Sequence, residues 1–291
     1  MNIKAWIEAM RLRTLPVSLS GVIIAVGYNL TFHNFRAVPA ALCLIFALLA
    51  QIASNFANEY YDFKAGLDRK GREGPRRGVT EGDITPKAMK TATFATLGLA
   101  CATGLGLVYY GGWWLIPVGI VIALGALAYS TGPYPLSHHA LGEVAVFLFF
   151  GIIPVNLTYY VQALSWSSDV LLGSIAAGLM GVNVLLVNNY RDIDDDRAVG
   201  KHTLAVKAGR RVTSLLYLIF GIAATIIVYP FWRTHMSMMI STIVPFIASM
   251  YVLQWNGMRH ESGRILNRRL GLTACLMLFY ALSFTLIAAC Q

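Results

Sequence analysis

Two groups of oxygen-bearing side chains stand at the ends of apolar stretches about 130 residues apart. The first comprises Asn55, Asn58, Glu59, Asp62 and Asp68; the second comprises Asn188, Asn189, Asp192, Asp194, Asp195 and Asp196. Carboxylates are costly to keep beside lipid, so grouping them twice at the same kind of place points to a shared task. Carboxylate and carboxamide oxygens suit a hard cation. Mg²⁺ keeps several waters and is usually held by one or two carboxylates together with substrate phosphates. Two facing clusters would hold about two or three such ions and, through them, a diphosphate. Arg72, Arg76, Arg77, Lys201 and Lys207 lie in the same segments and would neutralise the remaining anionic charge.

Other metal and phosphate motifs fit less well. Asp192, Asp194 and Asp196 imitate the first, third and fifth positions of an EF-hand loop. The sixth position is then Arg197 where glycine is needed, and the twelfth is Thr203 where a bidentate glutamate belongs. Gly200-Lys201-His202-Thr203 lacks the earlier glycine and the adjacent hydroxyl residue of a P-loop. The His138-His139 pair follows Pro133 and Pro135 in a short turn with no third ligand at a useful spacing, so it is read as solvated or near substrate. Glu143 opens the next apolar stretch, where helix-end electrostatics favour an acid, and it is also a candidate for the site.

The elements that must position these residues are transmembrane. Of 291 residues, 57% are hydrophobic and 13% charged, and the mean hydropathy is +0.60, values that exclude an ordinary soluble domain. Apolar runs of crossing length, about 20 residues, are read at 15–33, 38–61, 88–110, 112–130, 140–162, 168–190, 212–231, 236–255 and 267–289. They predict an all-α polytopic protein of nine spans. The opening segment carries Lys4, Glu8, Arg11 and Arg13 with no small-residue cleavage signature, so the first run reads as an uncleaved anchor.

A net charge of +9 could suggest nucleic acid, but 21 of the 23 Lys and Arg fall on one side of the nine-span layout and only Arg36 and Arg233 on the other. The positive-inside rule therefore predicts a plasma-membrane protein with a cytoplasmic amino terminus, a carboxyl terminus across the bilayer and no nucleic-acid partner. Cys43, Cys101, Cys275 and Cys290 lie in or beside apolar runs without C-x-x-C pairing, as small buried hydrophobes do.

Gln51, Asn55, Asn58 and Asp62 follow at spacings of four, three and four, which lines them along one helical face. Asn188 or Asn189, Asp192 and Asp196 repeat the device. The second helix is the fourth span after the first, an even step, so both clusters emerge on the same side and can serve one site. The chain reads as a single membrane domain of two pseudo-repeated halves, about 1–135 and 136–291.

The segments NFANEYYDFKAGLD (55–68), GPRRG (74–78), YSTGP (129–133), LGEV (141–144) and NNYRDIDDDRAVGKHTLAV (188–206) resemble the UbiA superfamily of intramembrane aromatic prenyltransferases. They look most like its 1,4-dihydroxy-2-naphthoate polyprenyltransferase branch, and the likeness spans nearly the whole chain. It implies a UbiA-type bundle with a cytoplasm-facing central cavity and transfer of a prenyl group from a polyprenyl diphosphate to 1,4-dihydroxy-2-naphthoate, with decarboxylation, for menaquinone. By this resemblance Asn58, Glu59, Asp62, Asp68, Asp192 and Asp196 form the Mg²⁺ set, with Asp62, Asp192 and Asp196 catalytic and Glu59 supporting. Arg13, Asn55, Arg72, Arg77, Tyr129, Asn189 and Lys201 form the substrate-binding set. Tyr129 and Tyr160 are candidates to face an allylic cation, and the prenyl tail would leave between helices into the bilayer.

The resemblance departs at Glu59, where bacterial members often carry aspartate. The longer gap between Asp62 and Asp68 favours the naphthoate branch over the 4-hydroxybenzoate one. A secondary transporter would gather ionisable groups near the membrane midplane; here 13 of 14 acids lie at the basic side and Asp169 alone does not. A scaffold that had lost activity would not need both acidic clusters.

Overall fold

The computed structural model describes residues 2–71 and 73–291, and every regular element among them is helical. In chain order these are α1 (Ile3–Met10), α2 (Leu15–Thr31), α3 (Ala37–Lys64), α4 (Gly78–Glu81), α5 (Pro86–Gly111), α6 (Leu115–Ala128), α7 (Gly142–Val146), α8 (Ile153–Ala163), α9 (Ser168–Arg191), α10 (Ile193–Ala198), α11 (Leu204–Ile227), α12 (Tyr229–His235), α13 (Val244–His260) and α14 (Leu266–Ala289). A wide turn of π type, Phe147–Ile152, joins α7 to α8, and another, Met239–Ile243, precedes α13. In lipid, a helix satisfies its own backbone, which is why so apolar a chain folds this way.

Six helices are long and apolar enough to cross a membrane, and α1 with α2, bent by 50°, gives a seventh. The expected nine is not reached on these terms. The stretch at 112–130 yields the 14-residue α6, and that at 236–255 is interrupted by the second π turn before the 17-residue α13. The polytopic helical architecture stands.

Start signals are legible in the sequence. Pro86 opens α5 behind Thr85, whose hydroxyl accepts the Ala88 N–H at 3.2 Å, and Thr203 caps α11 through the Val206 N–H at 3.3 Å. α9 is the most enclosed span and α5 the least. Around α9, the main core gathers side chains from α2, α11, α12, α13 and α14, among them Tyr28, Tyr217, Trp232, Tyr251 and Phe284. A smaller cluster of Ala5, Ala9, Phe56, Val79, Ile84 and Met89 seats α1 across the polar end of α3, with Trp6 edge-on to Phe56 at 5.6 Å.

Two glycines set the spacing that matters for the site. A Cβ on Gly151 would lie 2.3 Å from the Gly178 Cα and 2.6 Å from the Ser174 carbonyl oxygen. Only hydrogen at both positions lets the α7–α8 span touch α9 backbone to backbone, a small-residue crossing of the membrane type. That crossing brings the start of α7 beside the end of α9. Gly151→Val is expected to destabilise the protein by ~3 kcal/mol, because the opposing atoms are backbone and cannot rotate away. A lowered thermal midpoint of the purified protein in detergent, measured against a Gly98→Ala control in open space, checks this.

Candidate functional site

α3 and α9 end at the same side of the bundle, and each delivers its acidic cluster to one cavity of about 480 Å³. Asn58, Asp62, Asp192 and Asp196 all stand on its wall. The first half reaches the second directly: Lys201 Nζ lies 3.0 Å from Asp62 Oδ2, the Glu73 N–H donates to Asp195 Oδ2 at 3.2 Å, and Arg69 pairs with Asp195. His138 joins them, with Nε2 3.4 Å from Asp62 Oδ1 and its carbonyl accepting the His202 N–H at 2.8 Å.

Asn58 uses its whole carboxamide. Its Oδ1 accepts from Arg11 and, at 3.0 Å, from Arg77 Nη2, while Nδ2 donates to Ser130 Oγ at 3.1 Å and Asp62 Oδ2 at 3.3 Å. The i, i+4 spacing makes the last contact possible. Asn55, one turn earlier, donates to the Met10 carbonyl at 3.0 Å and so fixes α1 over the cavity. Asp68 stands 3.4 Å from Arg77 Nε, behind that guanidinium and off the cavity wall. Arg77 is 5% exposed, and its Nη1 has no hydrogen-bond partner among the described residues. An orphan donor on a buried cation at a cavity wall is suited to an incoming anion.

In the second cluster, Arg191 Nε and Nη2 grip Asp192 Oδ1 and Oδ2, each at 2.7 Å. Arg191 also donates to Asn188 Oδ1 and Asn267 Oδ1, both at 2.8 Å. Asn267, on α14, donates in turn to the Glu73 carbonyl at 3.2 Å. Asn189 turns the other way and donates to Glu143 Oε1 at 2.9 Å. Asp194 faces outward to Arg210 at 2.8 Å.

Of the other expected residues, Arg13, Tyr129 and Lys201 stand on the same wall. Glu59 does not: its Oε1 accepts the Val79 N–H at 3.0 Å, at the start of the short α4, so it shapes the Gly-Pro-Arg-Arg-Gly loop. Tyr160 packs against Trp114 and Trp166, at 5.1 and 4.8 Å, away from this cavity. Arg72 lies outside the described residues. No group of three His, Cys, Asp or Glu side chains in metal-binding arrangement occurs among the described residues. The acids are instead interleaved with bases, as the contacts of Asp62, Asp68, Asp192 and Asp195 show.

A second cavity, about 410 Å³ and almost wholly apolar, adjoins the first. Gln51, Ser54, Tyr129, Val146 and Phe150 line both. Its lining includes Leu105, Ile120 and Leu124, which are largely exposed on the outer surface of the bundle. A polar chamber thus continues into a greasy one.

The sequence profile described as the UbiA prenyltransferase family matches residues 14–287. The chain belongs to the UbiA prenyltransferase family. It is 35% identical over 249 residues to the 1,4-dihydroxy-2-naphthoate octaprenyltransferase of Haemophilus influenzae, covering 77% of this chain and 79% of that one. It is 38% identical over 212 residues to the enzyme of the same name from Escherichia coli, covering 71% and 69%. A solved UbiA homologue from Archaeoglobus fulgidus bound to GPP and Mg²⁺ superposes with a TM-score of 0.70 over 97% of this chain and 99% of that one. At 15% identity that likeness bears on the fold alone.

The sequence reading of this UbiA member missed Arg11, Arg191 and Asn267. Arg191 sits inside the second acidic motif and was counted only toward topology, although an Arg between Asn and Asp at a helix end is well placed to clamp them. Asn267 gave no local signal, since its partners lie 76 and 194 residues away.

Asn267→Ala removes an acceptor from buried Arg191 and a donor from the Glu73 carbonyl, a cost of about 1–3 kcal/mol for unsatisfied buried groups. The 65–77 loop should then open more often. Faster tryptic cleavage at exposed Arg69 and Lys70, by about tenfold or more, is the expected readout.

Proposed function

We propose that this chain transfers a polyprenyl group from polyprenyl diphosphate to 1,4-dihydroxy-2-naphthoate, with Mg²⁺ and with loss of the ring carboxylate, in menaquinone formation. The observation that carries this reading is the joined pair of chambers, one lined by both acidic clusters and the next almost wholly apolar. A diphosphate head with a long hydrocarbon tail has that division of character. The relatives named above act, by their names, on the naphthoate acceptor, and the Archaeoglobus homologue binds a prenyl diphosphate with Mg²⁺.

The donor set fits the ion. Asp62, Asp192 and Asp196 offer carboxylate oxygens and Asn58 a carboxamide oxygen, the donor type a hard cation requires; Asp68 acts one step removed, holding Arg77. Bound Mg²⁺ would act as a Lewis acid, drawing charge off the diphosphate as the allylic carbon–oxygen bond weakens. The chain's own cations share that work: Arg77 has a free donor for a phosphate oxygen, and Lys201 can hold another. Tyr129, common to both chambers, would offer its ring to an electron-poor allylic carbon formed between them. The apolar chamber excludes water from that carbon, so that the ring carbon of the acceptor captures it. The tail would run past Leu105, Ile120 and Leu124 into lipid, which explains why no closed pocket of its full length is needed.

On this reading the acidic loops face the cytoplasm of a plasma-membrane protein, as the basic residues beside them require.

Asp62→Asn and Asp192→Asn, which keep an acceptor oxygen for Lys201 and Arg191, should each lower transfer by about 10²-fold or more while the protein still inserts and elutes as a single species. Mg²⁺-dependent turnover at the wild-type rate in either variant would contradict the assignment. Purified protein given a C20 or longer prenyl diphosphate should convert 1,4-dihydroxy-2-naphthoate and release CO₂. Product from 4-hydroxybenzoate alone would move the chain to that branch.

A further inference from the structure

Glu143 is a buried acid on the wall of the polar chamber, 8% exposed, and it stands apart from the charge network just described. Asp62 and Asp192 each hold a basic side chain, whereas Glu143 has no ion-pair partner among the described residues. Among the described residues its side-chain partner is a neutral donor, the Asn189 carboxamide, at Oε1. Gly142 beside it lies against the Tyr129 hydroxyl, to which its Cβ would come within 3.6 Å. Glu143 therefore sits next to the residue that lines both chambers.

A buried carboxylate without a cation attracts a hydrogen-bond donor and repels an anion. A diphosphate, all acceptors and negative charge, is the wrong ligand for this corner. A neutral ring hydroxyl is the right one. Resting on the acceptor class of the proposed function, we infer that Glu143 is the hydrogen-bond acceptor that seats a ring hydroxyl of the aromatic substrate. Asn189 fixes the carboxylate's rotamer from behind. The backbone crossing at Gly151 and Gly178 holds α7 at the distance from α9 that lets this pair form. The acceptor's own carboxylate must then point away from Glu143, and Arg11 and Arg13 on the same wall are cations that can take it. The dihydroxynaphthoate has both groups, so one orientation of the ring can satisfy both contacts. Glu143 is thus a specificity residue for hydroxylated rings and takes no part in holding the diphosphate.

The test separates the two substrates. In Glu143→Gln, the KM for 1,4-dihydroxy-2-naphthoate should rise about tenfold, as expected when a charge-assisted hydrogen bond becomes a neutral one. The KM for prenyl diphosphate and the Mg²⁺ concentration for half-activation should stay within about twofold of wild type. The wild-type enzyme should discriminate by about tenfold against one of the two monomethyl ethers of the acceptor, and the variant should lose that discrimination. A shifted Mg²⁺ requirement in the variant would make Glu143 a metal ligand and overturn the inference. Undiminished discrimination in the variant would also overturn it. If the variant does not fold, the wild-type comparison decides, and indifference to both ethers refutes the role. If the wild type instead uses another hydroxylated aromatic, the proposed acceptor is wrong, and the same split in KM measured with that acceptor still tests Glu143.

Discussion

Carboxylates buried at the ends of apolar helices need counter-charges, and in this protein each half supplies them to the other. Asp62 at the end of α3 takes Lys201 from the loop after α10; Asp195 in α10 takes Arg69 and the Glu73 N–H from the loop after α3. Removing one member of the buried Asp62–Lys201 pair costs about 3–5 kcal/mol because the other is left uncompensated, whereas the solvent-exposed Arg69 adds little. The two acidic ends therefore cannot drift apart. The same electrostatics that make these residues expensive next to lipid make the two halves converge on one chamber.

Packing elsewhere serves that convergence. α9 is enclosed on most sides, so its terminal Asn188, Asn189 and Asp192 start from a rigid base. Arg191 then fixes Asp192 through a bidentate grip and passes the constraint to α14 through Asn267. On the other side α5 and α6 remain largely exposed to lipid, and the apolar chamber lies against them. Rigidity is concentrated where a head group would be held, and lipid contact where a tail would lie.

Sequence alone made the clusters and their shared side legible, because i, i+4 spacing in α3 and α9 and the one-sided distribution of Lys and Arg are local or additive signals. It also singled out Arg77, Lys201 and Tyr129, which stand on the chamber wall. Glu59 shows what spacing leaves open. It sits one residue from Asn58, so helical geometry turns it toward Val79 in place of the cavity, an outcome set by where the following loop folds back. Asp68 was read as facing a metal and stands behind Arg77, because its position depends on a non-helical segment whose path no periodicity describes. The count of nine spans is not confirmed by helix length and apolarity, which do not reach it where one stretch gives a 14-residue helix and another is broken by a wide turn.

The charge balance of the chamber narrows what it can bind. Among the described residues its wall carries five acids and six bases, already paired in several places. A bare polyanion would have to displace acids, and a bare cation would have to displace bases, each leaving buried charge uncompensated. A ligand bearing both signs meets no such penalty: its cationic part can take the place of Lys201 at Asp62 while its anionic part takes Lys201 itself. A metal–diphosphate unit has this character, whereas an inorganic ion of either sign alone does not. The near-neutral wall is thus a selectivity device, and Glu143, which has no counter-ion among the described residues, marks where that device ends and, on the inference above, recognition of an uncharged hydroxyl begins.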